Sequence, residues 1–170
     1  RRPSRRRQLQ EGQLVGEAGS EYHREVVLPG VVRLLNPRAG EAMLDIACGQ
    51  GVLCRMLHDR GVAATGVDAS RELIQAARQR NSVLGPQATP PPTYHVADAR
   101  ELGFLPEVHF DAAACVLAIQ NIHPIQGVFA GVARALKAGG RFVVAMMHPA
   151  FRGSKETSWG WDPAKEVQYR

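Results

Sequence analysis

The chain has 170 residues, 45% of them hydrophobic, which is enough apolar side chain for one cooperative core of ordinary domain size. No run approaches the roughly 18 uncharged apolar residues of a membrane span, and the first thirty residues lack the apolar centre of a secretory signal, so a cytoplasmic protein is expected. The formal charge of +5 belongs to the start of the chain: without Arg1, Arg2, Arg5, Arg6 and Arg7, 16 basic residues face 16 acidic ones, which disfavours nucleic acid as substrate.

Residues 1–20 read as a basic, solvated tail. From 21 to 35, Val26, Val27, Val31, Leu34 and Leu35 recur near helical spacing, and Pro29-Gly30 predicts a kink or two short helices. Residues 36–40 form a turn, and 42–47 are a short apolar run between glycines, the first buried strand. Residues 51–60 predict a helix that Gly61 stops, followed by a second strand over 63–67. Ser70 is placed to cap a helix over 71–80. The proline-rich stretch 85–92 cannot continue a helix. A third strand follows at 93–97 and a fourth, almost wholly apolar, at 110–117. A helix over 124–136, a stop at Lys137-Ala138-Gly139-Gly140 and a fifth strand over 141–147 complete the pattern.

Strand and helix alternate throughout, so the fold class expected is α/β, a doubly wound and mainly parallel sheet. Residues 21–147 are its core. No confident sixth strand follows, and 148–170 read as a C-terminal extension in which Trp159, Trp161 and the stretch from Met146 to Phe151 line an acceptor pocket or cover a sheet edge. The three cysteines, Cys48, Cys54 and Cys115, lack the paired spacing of a zinc site, and reduced thiols are expected. No metal site is predicted.

In an open parallel sheet, ligands bind beyond the carboxyl ends of the strands, so residues just after each strand are the candidates. Gly49 and Gly51 follow strand one, where lack of a side chain permits a tight turn and close approach to backbone. Asp68 ends strand two, seventeen positions after Gly51, near the spacing at which a carboxylate accepts both hydroxyls of a ribose. Asp98 ends strand three, where it can accept from an adenine amino group. Strand four, with Val116 near its end, supplies an apolar wall and runs into Gln120-Asn121-Ile122-His123. These positions together indicate a nucleoside ligand.

Five segments in order, Leu44-Asp45-Ile46-Ala47-Cys48-Gly49-Gln50-Gly51, Gly66-Val67-Asp68-Ala69-Ser70, Ala97-Asp98-Ala99, Phe110-Asp111 and Leu136-Lys137-Ala138-Gly139-Gly140-Arg141-Phe142, resemble the successive motifs of class I S-adenosylmethionine-dependent methyltransferases of the small-molecule type. The resemblance spans roughly residues 42–147. It implies S-adenosylmethionine as cofactor, with Gly49 and Gly51 beside its methionine part and Asp45 holding its amino group directly or through water. It further implies Asp68 on the ribose, Ala69 beside the adenine, and Asp98 and Ala99 reading the adenine edge. Ala47 stands where this family often has its first loop glycine. The same resemblance suggests a closing helix before strand one, with Tyr22 touching the cofactor. The family fold normally adds two further strands, so this sheet is expected to lack them: either the chain is truncated, or a second copy or a partner completes the edge.

Methyl transfer from a sulfonium is an in-line displacement in which positioning supplies much of the acceleration. If the acceptor carries a hydroxyl or a protonated amine, His123 after strand four or His148 after strand five is placed to remove its proton. Two other classes fit parts of the pattern: a methyltransferase-like scaffold without activity, and a nicotinamide oxidoreductase. The latter needs a third small residue in its fingerprint where this chain has Cys54, and it gives Asp45 no role.

Overall fold

The computed structural model describes residues 23–81, 88–148, 160–162 and 167–169. The expected helix before the first strand begins as a π-helical turn, His23–Val27, and continues as α1, Leu28–Leu35. Pro29 lies in the first turn of α1, where its missing N–H costs no hydrogen bond. Asn36 closes that helix in the left-handed conformation, donating its N–H to the Val32 carbonyl.

Then come β1 (Ala42–Ile46), α2 (Val52–His58), β2 (Ala63–Asp68), α3 (Arg71–Arg80), β3 (Thr93–Val96), β4 (Phe110–Val116), α4 (Gln126–Ala135) and β5 (Leu136–Ala145). Short 3-10 turns stand at Leu102–Phe104 and Ile119–Asn121. Ser70 caps α3 as its position predicts, its hydroxyl accepting from the Leu73 N–H. The pattern is the α/β alternation expected, with boundaries shifted by one or two residues except at β5, which starts five residues before the expected 141.

One difference is informative. The Lys137–Gly140 stop lies inside β5: Phe110 pairs with Leu136 and Ala112 with Arg141, so the intervening residues bulge from the ladder, and Gly139 takes φ +76°. A second lies beyond β5, where Gly160–Asp162 (β6) and Val167–Tyr169 (β7) pair antiparallel as a separate two-stranded sheet. Neither joins the main sheet.

All pairings within the five-stranded sheet are parallel, in the order β3-β2-β1-β4-β5. The chain therefore builds outward from β1 on one side, then returns to build on the other. The reversal falls between β1 and β4, and a crevice opens beyond their carboxyl ends. Alternation along the central strands feeds two cores. Met43, Ala112 and Ala114 pack with Leu28, Leu35, Leu57 and Ile74 under α1, α2 and α3. Leu44, Ile46, Ala113 and Cys115 pack with Leu102, Phe110, Val128 and Val132 under α4. Each fully buried Leu or Ile contributes about 1.5–3 kcal/mol, and these two layers fix the strand ends from which the site is built.

Two ion pairs secure the amino ends of the strands, away from the crevice. Asp111 accepts from the Ala42 N–H at 2.9 Å and from Lys137 at 2.8 Å. The Arg141 guanidinium grips both carboxylate oxygens of Glu41 at 2.9 and 3.0 Å and also donates to the Leu35 carbonyl. Phe110-Asp111 and Lys137 to Arg141, two of the five ordered motifs, are thus structural braces.

Candidate functional site

The crevice at the switch point is a cleft of about 270 Å³ lined by Ala47, Asp68, Ala69, Asp98, Ala99, Arg100, Asn121, Ile122 and His123. Its volume is just below the ~300–1,000 Å³ common for small-molecule sites. Five of the residues expected at the cofactor, Ala47, Asp68, Ala69, Asp98 and Ala99, meet there, together with His123.

The wall nearest β1 is a loop in an unusual backbone conformation. Ala47 has φ +55°, Gly49 +55° and Gly51 +72°. A left-handed alanine costs about 1–2 kcal/mol, which explains why a glycine serves well at position 47 and why the loop turns so sharply off β1. The two glycines have different reasons to be glycine. A Cβ on Gly51 would overlap the hydroxyl and ring of Tyr94, which lies beneath the loop, whereas a Cβ on Gly49 would meet nothing within 4 Å. Gly49 therefore presents bare backbone to open space, the property a closely approaching ligand needs. Tyr94 is 4% exposed and also fills the space above Gly66, where a Cβ would come within 2.7 Å of its ring.

Asp68 joins this loop to the end of β2. One carboxylate oxygen accepts from the Gly49 N–H at 2.9 Å and the other from the Ser70 N–H at 2.8 Å. Burial raises its pKa from the ordinary carboxylate value, against these two hydrogen bonds, which lower it. Each oxygen keeps a further acceptor position, so the group can hold the loop and still receive hydroxyl donors from the cleft.

Asp45 is set deeper, 3% exposed, with the Cys54 thiol donating to its carboxylate at 3.5 Å. Burial pushes its pKa up to about 7, the Cys54 hydrogen bond works against that shift, and the charge of Asp68 adds to it. Asp45 is not among the residues lining the cleft; it lies under the glycine loop.

Asp98 and Arg100 form the far wall. Hydrogen bonds from the Arg100 side chain and backbone hold the Asp98 carboxyl low, at about 2. The same guanidinium donates to the His123 carbonyl at 2.6 Å. Asn121, Ile122 and His123 come from the segment after β4, which leaves the strand through Leu117 at φ +53° and carries a cis peptide bond between His123 and Pro124. His123 is exposed at the cleft. His148 is exposed after β5 and is not among the lining residues, and Val116 is half-buried against the core under α1 to α3. Tyr22, Trp159 and Phe151 lie outside the described residues. Among the described residues no cluster of three or more His, Cys, Asp or Glu is arranged to hold a metal, and no helix is long and apolar enough to cross a membrane.

Tyr94 and Arg100 are the two functional-site residues that the sequence reading passes over. Tyr94 carries no local signal, because its contact with Gly51 is made through the fold. Arg100 does carry one: a basic residue two positions after a strand-end carboxylate is within reach of it.

Residues 44–144 match the family model described as a methyltransferase domain. The chain belongs to that family, in the class I, Rossmann-like, S-adenosylmethionine-dependent group that its ordered motifs resemble. It is 36% identical over 118 residues to a demethylmenaquinone methyltransferase of Tropheryma whipplei, covering 69% of this chain and 46% of that one. It is 30% identical over 112 residues to a ubiquinone biosynthesis O-methyltransferase of Xylella fastidiosa, covering 66% and 44%. Among solved structures, an S-adenosylmethionine dependent methyltransferase from Mesorhizobium loti aligns with TM-score 0.68 at 30% identity, over 82% of this chain and 61% of that one. The chain thus spans just under half the length of the curated relatives it matches.

The residues present fit the family's cofactor. A ribose-type acceptor at Asp68, an uncovered glycine backbone at Gly49, and a nearby carboxylate at Asp98 line one cleft at the switch point.

Proposed function

We propose that this chain carries the cofactor-binding core of an enzyme that transfers a methyl group from S-adenosylmethionine to a small-molecule acceptor. The observation that carries the reading is the gathering of Ala47, Asp68, Ala69, Asp98 and Ala99 on one cleft beside the Gly49 backbone. Asp68 accepts the ribose hydroxyls, Ala69 and Ala99 flank the adenine, and Asp98 receives its amino group. Gly49 and Gly51 shape the backbone beside the methionine end. Asp45, buried beneath them, supports that end from below through the loop or a water, and Val116 backs the apolar wall. Tyr22 is assigned to the same end, from the segment that precedes α1.

When bound, S-adenosylmethionine supplies an electrophilic methyl carbon on a sulfonium sulfur. The chain's own contribution is to orient the donor and keep the acceptor in line with it, a gain of up to several kcal/mol from proximity alone. His123 takes the acceptor proton where there is one, its place on the cleft supporting it over the more distant His148. The names of the matched relatives support a small organic acceptor, and quinone-precursor phenols are the first class to test.

The three free cysteines support a reducing, cytoplasmic setting. A second copy or a partner along β5 belongs to the same reading, supported by the place of β5 at the end of the strand order among the described residues. The direct assay is methyl-labelled S-adenosylmethionine with a panel of phenols, quinols and amines. Labelled product from the unmutated chain and none from Asp68→Ala is expected; no product from any acceptor contradicts the reading.

A further inference from the structure

The geometry points to Arg100 as a positioning residue that aims Asp98 at the exocyclic amino group of the cofactor's adenine. The inference rests on the cofactor reading above and adds a device that the ordered motifs do not contain. A carboxylate offers about four lone-pair positions. On Asp98, one oxygen accepts both the Arg100 backbone N–H and its Nε, each at 2.9 Å, and the other accepts Nη2 at 2.5 Å. One acceptor position remains, on the second oxygen. Arg100 therefore leaves this carboxylate able to receive a single further donor, in one direction.

Arg100 is itself held from three sides. Its backbone is seated against α4 at Gly127, where a Cβ would come within 2.7 Å of the Arg100 carbonyl oxygen. One turn along the same helix, Gly131 admits Leu102 equally closely. Arg134, further along α4, donates to the Leu102 carbonyl at 2.6 Å and the Leu105 carbonyl at 3.2 Å, which ties down the segment that carries Arg100. Finally, Nη1 of Arg100 reaches the His123 carbonyl at 2.6 Å, so one side chain fixes the strand-three and strand-four walls of the cleft relative to each other.

Two consequences follow for recognition. Held low by the Arg100 hydrogen bonds, the carboxylate is ionised and acceptor-only between pH 4 and 7, so it welcomes an amino group and repels a carbonyl oxygen in the same place. Hypoxanthine, which carries that oxygen, is rejected. The charged groups around Asp98 are Arg100 and Glu101 on its own segment, Asp68 from the end of β2 and His123 from the segment after β4. Arg134 on α4 is turned to Glu107 and the two carbonyls.

The test is calorimetric titration of the folded chain with S-adenosylhomocysteine and with its hypoxanthine counterpart, S-inosylhomocysteine, between pH 4 and 7. The unmutated chain is expected to prefer the adenine ligand at least tenfold, with little change in that ratio across the range. Arg100→Ala is expected to bind S-adenosylhomocysteine roughly tenfold more weakly. Its adenine-to-hypoxanthine ratio should collapse below pH 5, as Asp98 returns toward the ordinary aspartate value of about 3.9. Arg100→Lys keeps a cation at the position and should restore the pH-independent ratio in part. Asp68 and the rest of the cleft are common to every variant, so only the difference between variants is read. If Arg100→Ala does not fold, Arg100→Gln, which keeps a donor to the His123 carbonyl without the charge, is put in its place. Unchanged ratio and pH profile in the variants overturn the inference while the cofactor reading stands; no binding of either ligand by the unmutated chain overturns the cofactor reading itself.

Discussion

The carboxylate of Asp68, at the end of β2, accepts the backbone N–H of Gly49 at 2.9 Å. A residue expected to meet the ribose thus also holds the loop expected to meet the methionine end, and the two halves of the cofactor site are mechanically one unit. Asp68→Asn keeps a single acceptor oxygen, so one of the two backbone N–H groups, from Gly49 or Ser70, loses its partner. A cost of about 1–3 kcal/mol in urea unfolding is expected. Wild-type stability in that variant contradicts this coupling.

The two loop glycines separate stability from binding. Gly51→Ala places a Cβ into Tyr94 at φ +72°, and a loss of roughly 2–4 kcal/mol is expected from the left-handed backbone and the overpacking together. Gly49→Ala meets no protein atom and carries the backbone cost alone, about 1–2 kcal/mol. It should, however, weaken S-adenosylhomocysteine binding more than its effect on stability suggests. Thermal melts of both variants, paired with titrations, read this directly; equal destabilisation by the two removes the distinction.

Ala47→Gly should stabilise. The left-handed backbone at φ +55° costs alanine about 1–2 kcal/mol, of which the greater freedom of glycine in the unfolded chain gives back roughly 0.4–1. A net gain between zero and about 1.6 kcal/mol is expected in chemical denaturation. A loss of that size shows that the Ala47 methyl packs to more effect than its backbone costs.

Asp45 makes stability depend on pH. Its folded pKa, raised by burial to about 7, lies above the unfolded value of about 3.9. Between those values the folded chain binds the extra proton, so the contribution is fully present at low pH and is lost as pH rises through 7. The raised Asp68 acts in the same direction. The slope from Asp45 reaches at most about 1.4 kcal/mol per pH unit. Unfolding free energies at pH 5 and pH 8 should therefore show a decline that is flatter in Asp45→Asn, and parallel declines in the two proteins contradict the assignment.

How much of this was readable from the chain follows from the range of each interaction. The strand and helix order was legible because it is written in local periodicity, and Asp68 and Gly49 were legible because the topology places strand-end residues of β1 and β2 side by side. The resemblance assigns Asp45 to the cofactor's amino group, directly or through water; its burial against Cys54 was not legible, because that contact is made between β1 and α2 through the fold. The roles of Asp111 and Lys137 were not legible. Lys137 donates to Asp111 from 26 residues away, and the other donor to Asp111, the Ala42 N–H, lies 69 residues away, brought there only by the register of β1 against β4. Tyr94 beneath Gly51 is of the same kind, a contact between a strand and a loop that no local pattern announces.

The central claim, that the cleft at the ends of β1 and β2 binds S-adenosylmethionine through Asp68, is tested most directly by titrating the chain with S-adenosylhomocysteine and repeating the titration with Asp68→Ala, circular dichroism confirming that both are folded. Loss of hydrogen bonds to a charged acceptor predicts an affinity at least tenfold weaker in the variant. Saturable binding by the unmutated chain with that loss is the expected result. An unmutated chain that does not bind, or an Asp68→Ala variant that binds equally well, contradicts it.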